Sequence, residues 1–555
     1  MKMLSEPEHH SSLGTAGDNR DQPAFNGGRT AALADKVQTA TLGAAPLNVP
    51  SAPGGFIATE KRLLRRLGHI FPGAVTWFLI SALLWGPFLL PWPLAVGVLS
   101  FDIYWLLRSW STAYHGIKGL RQLKLAKGVD WRAKYTEALR QGKVYAPWNS
   151  VHHVVVIPNL NERVTKLRTT LEYLAAQREA ARQISVVLAM EEKEPEARAK
   201  AELLQREFQG QFAHILATYH PAGLPGEVPG KSSNEAWAAR WAKRFLVDEL
   251  GYDLACLTVT SCDADSLFHP DYFSCLTYKF CTDPMRHRRF WQAPIFLYNN
   301  IWDVPMPTRV ISTLSTISFL ADLCKSHRFV FTQSTYSLSL QMAHEVGYWD
   351  PEVIPEDWHM FLKCFFHLKG EVQTEALFLP IGTDAVRAET YTGSLISRYK
   401  QAKRHAWGAE DIGYGLTEFW HHPEIPLWSR TKCFWALVEN HLLWSTHWFI
   451  LTLGGAVPAL LVGPLRDLSP VGLLPVMTSV ILTACLLPGI VIIALDLTLR
   501  PPAPPEKSKW FVAFSHIQWV LLPITSAVFA SLPAVHAQTQ LMLGKPLIYE
   551  VTDKV

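Results

Sequence analysis

No Cys-x-x-Cys pair occurs among the 8 cysteines of this 555-residue chain, which removes zinc ribbons and thioredoxin-type redox sites from consideration. The thiols are expected to be reduced and mostly buried, as in a domain facing the cytosol. Net charge is scarce too. At +4 over this length it offers no electrostatic footprint for nucleic acid. No internal repeat is found. No cleavable leader is expected, because the first apolar run begins only near Ile70. Charge is almost missing from residues 70–107, where Asp102 is the one acid.

What is present is segregated. Hydrophobic residues make up 49% and charged residues still 18%, a mixture that does not suit a protein that is membrane throughout. Residues 1–60 are polar and rich in Gly, Ala and Pro, and are expected to form a disordered tail. Residues 68–108 are long enough for two membrane spans, with Pro87, Pro91 and Pro93 at the turn. Lys61, Arg62, Arg65 and Arg66 precede them and Arg108, Lys118, Arg121 and Lys124 follow. Basic flanks on both sides place both ends in the cytoplasm. Residues 110–432 have soluble composition. Residues 436–535 hold about three more apolar stretches, near 440–463, 472–497 and 511–533, and residues 536–555 form a tail. The Pro-rich basic linker Arg500–Lys509 is expected in the cytoplasm and the short Arg466-Asp467 loop outside. Five spans would leave the C-terminus outside. A re-entrant 511–533 or a split 440–463 would return it to the cytoplasm. The many tryptophans in or beside the apolar stretches fit membrane interfaces.

In the soluble stretch, strand-like runs alternate with helical ones. His152–Ile157, Ile184–Leu188, Phe212–Thr218 and Leu254–Val259 are strand candidates. Val164–Ala181, residues 196–207 and Asn234–Leu250 have helical periodicity. That alternation predicts an α/β domain with a mainly parallel sheet, whose ligands bind beyond the carboxyl ends of the strands.

The polar motifs stand at those ends. Asn161-Glu162 follows the first strand, and Glu191-Glu192 follows the second. Lys231-Ser-Ser-Asn234 opens a helix, where a cation and free amides can face phosphate. Asp263-Ala-Asp265 follows the fourth strand. Two acids so close call for a compensating cation, and a hard divalent ion shared with substrate phosphates answers that need. Glu356-Asp357 starts an apolar helix, where a carboxylate can act as general base. Gln401-Ala-Lys-Arg404-His-Ala-Trp407 is a basic, aromatic stretch leading to the next apolar run; it also reads as an interfacial amphipathic helix. Taken singly, most of these motifs serve equally well as helix caps or solvated loops.

Their order resembles that of family 2 glycosyltransferases, most closely the membrane-embedded cellulose synthase and hyaluronan synthase type. The resemblance covers roughly residues 150–410 and includes Gln292 in Trp-Gln-Ala-Pro and the tail beginning Ala537-Gln-Thr-Gln. It implies a GT-A fold, a UDP- or GDP-linked sugar donor, and inversion at the anomeric carbon. Glu191 or Glu192 would contact the nucleoside. Asp263 and Asp265 would hold Mg2+ or Mn2+. Asp357, beside Glu356, would be the general base. Gln401, Arg404 and Trp407 would bind donor and acceptor, the latter a glycan or a lipid-linked molecule. The family's Asp after the second strand is Glu-Glu here, its Thr-Glu-Asp is Pro-Glu-Asp, and Trp407 falls two positions late. The acceptor-side segment reads Gln333-Ser-Thr-Tyr336. These departures motivate an alternative: an inactive nucleotide-sugar sensor or scaffold of the same fold. A transporter is disfavoured, since Asp102, Glu439 and Asp496 are the main acids of the apolar stretches and lie near their ends.

Overall fold

The computed structural model describes residues 56–325, 329–463 and 469–545. The N-terminal tail up to residue 55, the Arg466-Asp467 loop and the end of the C-terminal tail lie outside them.

The α/β domain is built on a seven-stranded sheet of order β3-β2-β1-β4-β8-β6-β9. Its strands are β1 (His152–Asn159), β2 (Ile184–Glu191), β3 (His214–His220), β4 (Leu257–Ser261), β6 (Arg289–Gln292), β8 (Tyr336–Ser339) and β9 (Gln373–Ala376). β3, β2, β1 and β4 pair in parallel, and β8 runs antiparallel between β4 and β6. A small sheet joins β5 (Leu267–Phe268), β10 (Ile381–Gly382) and β7 (Ile295–Phe296) in that order. The mainly parallel sheet agrees with the sequence expectation, and each of the four parallel strands lies within a few residues of its predicted position.

β1 is buried on both faces, as a central parallel strand must be. Val154 and Val156 pack toward the helix Lys231–Lys243, and Val155 and Ile157 pack into the opposite core with Leu167, Leu171 and Leu174. Those three leucines recur at helical spacing, so Val164–Ala175 lays one stripe on the sheet.

The apolar ends of the chain form long helices around this domain. Three helical segments are long and apolar enough to cross a membrane: Glu60–Leu89, Pro470–Leu499 and Lys509–Met542. The second half of the first stretch falls within the helix Pro91–Lys127, and the stretch near 440–463 runs from Leu427–Leu453 into Ala456–Leu461; none of these is among those three.

Polar contacts fix which ends face the domain. Lys61 is 3.7 Å from Glu418. The linker after Arg500 is held by the Trp302 indole, which donates to Pro501 O at 3.0 Å, and by Lys507, 2.8 Å from Asp303. At the far end of Lys509–Met542, Arg66 donates to the carbonyls of Leu541 and Met542 at 2.9 and 2.6 Å. Both ends of that last segment therefore lie on the domain's side. That segment is nonetheless long and apolar enough to cross a membrane. The first helix meets the helix Asp411–His421 backbone to backbone: a Cβ on Gly68 would come within 2.4 Å of Gly413 Cα. Glycine at both positions is what allows that approach.

Candidate active site

A cavity of about 670 Å3 opens at the carboxyl ends of β1, β2 and β4. Asn161, Glu162, Glu191, Lys231, Asn234, Asp263, Asp265 and Arg404 all line it. Eight sequence-predicted residues from five chain segments thus meet in one place, which is of the size that encloses a drug-sized ligand. Arg163, Lys166 and Lys193 add positive charge to its wall, and Glu389 adds an acid.

The two glutamates at the end of β2 face different ways. Glu191 is buried at the cavity wall, 3.4 Å from His220. Glu192 is turned outward toward Arg198 and does not line the cavity. His220 also lies 2.8 Å from Glu227. Burial opposes its charge, but the two carboxylates outweigh it and raise its proton affinity.

The acid-rich end of the cavity is organised around Lys231. Its ammonium lies 2.7 Å from Glu356, 2.9 Å from Asp263, 3.6 Å from Glu235 and 3.7 Å from Asp357. Burial disfavours the charged amine, yet these four acids hold its proton affinity well above the ordinary lysine value. One cation against four acids leaves excess negative charge. Accordingly, burial pushes Asp357 well above the usual carboxylate range, and the charge on Glu356 adds to this while Lys231 opposes it. Glu235 is pushed up to about 8, again chiefly by burial. Among the described residues, Asp357 Oδ1 and Glu235 Oε2 are buried without a hydrogen-bond partner.

The loop before β8 braces this cluster, a role that the sequence, read only as an acceptor-side segment, did not show. Ser334 donates its backbone N–H to Asp357 Oδ2 at 2.8 Å and its hydroxyl to Asp263 Oδ2 at 2.5 Å. Its carbonyl accepts from Lys231 at 3.1 Å. It does so at φ 59°, in the left-handed region that few residues with a Cβ adopt. Backbone held in that region is a feature of functional sites. Thr335 accepts from the Asp263 N–H at 3.1 Å, and Thr170 donates to the carbonyl of Ala264 at 2.8 Å. The Asp263–Asp265 turn is thereby fixed from both sides. Asp265 accepts from the Asp384 N–H at 3.0 Å.

Six predicted residues do not line the cavity: Glu192, Gln292, Glu356, Asp357, Gln401 and Trp407. Gln292 is buried in the sheet and clamps the same loop, accepting from Gln333 N at 2.8 Å and donating to Thr335 O at 3.0 Å. Gln401 accepts from Arg398 at 2.6 Å. Trp407 is buried in the apolar core, with its indole donating to Glu410 at 2.6 Å. An indole with both faces packed is closed to a sugar or base. Glu356 and Asp357 stand behind Lys231, in the first turn of the helix Glu356–His367, and are not part of the cavity's lining.

Residues 258–495 match the family model described as glycosyl transferase family group 2. The chain resembles family 2 glycosyltransferases. The match takes in Asp263-Ala-Asp265, Glu356-Asp357 and the Gln401–Trp407 stretch, and ends inside the apolar helix Pro470–Leu499. β1 to β3 precede it. No curated protein matches the chain. Among solved structures, a mannosyltransferase from Pyrobaculum calidifontis, with GDP-Man and Mn2+, is similar at 14% identity and TM-score 0.37, over 75% of this chain and 98% of its own. S. aureus TarS residues 1–349 is similar at 9% identity and TM-score 0.32, over 73% and 95%. GalNAc-T7 with UDP, GalNAc and Mn2+ is similar at 11% identity and TM-score 0.31, over 53% and 57%. Likenesses this distant carry no argument about this chain's own ligands.

Proposed function

We propose that the protein is a membrane-bound, inverting glycosyltransferase of GT-A type. In this reading it moves a sugar from a UDP- or GDP-linked donor to a glycan or lipid-linked acceptor at the cytoplasmic face of the plasma or inner membrane. The observation that carries the proposal is the single cavity in which Glu191, Lys231, Asp263, Asp265 and Arg404 converge, with Asp357 directly behind Lys231.

Glu191 accepts hydrogen bonds from the nucleoside, and Lys231, Lys166 and Arg404 face the diphosphate. Asp357 takes the proton of the acceptor hydroxyl as the oxygen attacks the anomeric carbon. The bond to the diphosphate breaks on the opposite side, and the nucleoside diphosphate leaves with the electron pair. A base whose proton affinity is raised by burial suits proton removal near neutral pH.

A divalent ion fits the donor set. The excess of acid over the one ammonium, and the hard oxygens of Asp263 and Asp265 at the cavity wall, favour Mg2+ or Mn2+. Among the described residues no three His, Cys, Asp or Glu side chains form a ready-made cage. An ion shared with a diphosphate needs only one or two carboxylates from the protein. Bound there, it supplies charge stabilisation to the leaving diphosphate.

The test is nucleoside-diphosphate release by purified protein across a panel of nucleotide sugars. Asp357→Asn is expected to lower turnover by roughly 10²- to 10⁴-fold, the range of a lost general base. Donor binding, read by calorimetry, should survive that change. Binding by the wild type without turnover of any donor would favour the sensor or scaffold instead.

A further inference from the structure

Behind the cavity lies a second charged cluster that the proposed chemistry does not use. Its centre is His359, fully buried two residues beyond Asp357 on the same helix. Nδ1 is 2.6 Å from Asp411 Oδ1, and Nε2 is 2.9 Å from Asp350 Oδ2. Two carboxylates on the two ring nitrogens require both nitrogens to donate, and only the imidazolium has two N–H groups. Burial works against that charge, but Asp411 and Asp350 outweigh it and raise the proton affinity to about 9.

Each partner leads to a different part of the molecule. Asp350 also meets Lys363 at 2.5 Å, and its carbonyl accepts from Ser232 at 2.6 Å, beside Lys231. Asp411 begins the helix Asp411–His421, which sits on the first apolar helix through Gly413 and Gly68. The Tyr414 ring of that helix packs 4.4 Å from the imidazole. Arg65, Glu352 and Glu410 complete the charged surroundings, around a hollow of about 40 Å3. The imidazolium thus stands where the helix of Asp357, the turn beside Lys231 and the membrane-side helices meet.

We propose that His359, as an imidazolium between Asp350 and Asp411, is a positioning residue that locks the Asp357 helix onto the helix seated on the first apolar helix. It touches no substrate. Through it, the placement of the base relative to Lys231 depends on the packing of the domain against its membrane helices. The inference rests on the reading of Asp357 as the base, but the lock itself can be measured without turnover.

The experiment compares wild type with His359→Gln and Asp411→Asn in the full-length, detergent-solubilised protein. Hydrogen exchange is read across the helices Glu356–His367 and Asp411–His421. Both variants should exchange about tenfold faster there, with β1 to β4 unchanged. The thermal midpoint of the wild type should fall toward that of His359→Gln as pH rises from 7 through 9. The sign follows from a raised folded-state pKa, whose stabilisation is complete below about 6.5 and lost above about 9. With an active donor, kcat should drop by roughly 10- to 100-fold, the cost of a misplaced reacting group, while the donor KM moves less than about twofold. Unchanged exchange in both variants overturns the lock. Faster exchange with unchanged kcat overturns the positioning role. If no donor is turned over by the wild type, the transferase reading fails, and exchange with the pH-dependent midpoint still decides for or against the lock.

Discussion

At the scale of the residue, Ser334 shows how few atoms can organise a site. Its N–H, hydroxyl and carbonyl each bond a different functional side chain: Asp357, Asp263 and Lys231. The backbone must hold φ 59° to do this, which a β-branched residue tolerates poorly. Ser334→Ala keeps the backbone shape and removes only the bond to Asp263. It should therefore lower turnover with little change in thermal midpoint. Ser334→Val should do both, losing about 1–2 kcal/mol of stability to backbone strain. Paired melting curves and turnover numbers check this, and equal melting temperatures for the two variants would count against the strain argument. None of this could be read from Gln333-Ser-Thr-Tyr336, because a polar loop looks alike whether or not it folds back on distant acids.

At the scale of the element, β1 carries an unusual pair. His152 and His153 are buried at the start of the central strand. His152 meets Ser185 at 2.7 Å, and His153 meets Thr258 at 2.7 Å and Thr277 at 2.8 Å. Burial lowers both pKa values to about 3. The unfolded chain takes up these protons near pH 6.5, and the folded chain does not until about pH 3. Stability from this source is complete above about pH 6.5 and declines as pH falls toward 3. At pH 5 the two groups together cost about 4 kcal/mol, at 1.36 kcal/mol per unit of separation. The midpoint of thermal unfolding should drop between pH 7 and 5, and drop less in His153→Gln. The strands themselves were predictable from β-branched runs. Glu356 and Asp357 lie in the first turn of Glu356–His367, at the start of the helix as expected. Acidic residues in a first turn are favoured by the helix dipole.

At the scale of the whole molecule, the contacts at the two ends of the last apolar segment bear on how the apolar helices are arranged. Lys509–Met542 starts beside Asp303 and finishes at Arg66, and both contacts belong to the side that carries the α/β domain. A reporter fused after the C-terminus should therefore share the compartment of one inserted in the domain. Labelling of single introduced cysteines by an impermeant reagent in intact cells and in inverted vesicles measures this. Opposite accessibility of the two positions would restore a membrane crossing by that segment. Hydropathy alone does not settle such parity, since a segment long enough to cross can also fold back when its polar groups find partners inside the protein.

The amino-acid sequence by itself determined the division into apolar ends and a mainly parallel α/β domain, and the order of the acidic and basic motifs at its strand ends. Those follow from local composition and periodicity, which need no knowledge of distant partners. Only the tertiary structure decided that Glu191 and not Glu192 faces the cavity, and that Trp407 belongs to the core. It alone decided that Ser334 and Gln292 brace the cluster around Lys231. Each of these depends on which way a side chain turns against a neighbour up to a hundred residues away, a quantity set by packing and hydrogen-bond satisfaction across the fold.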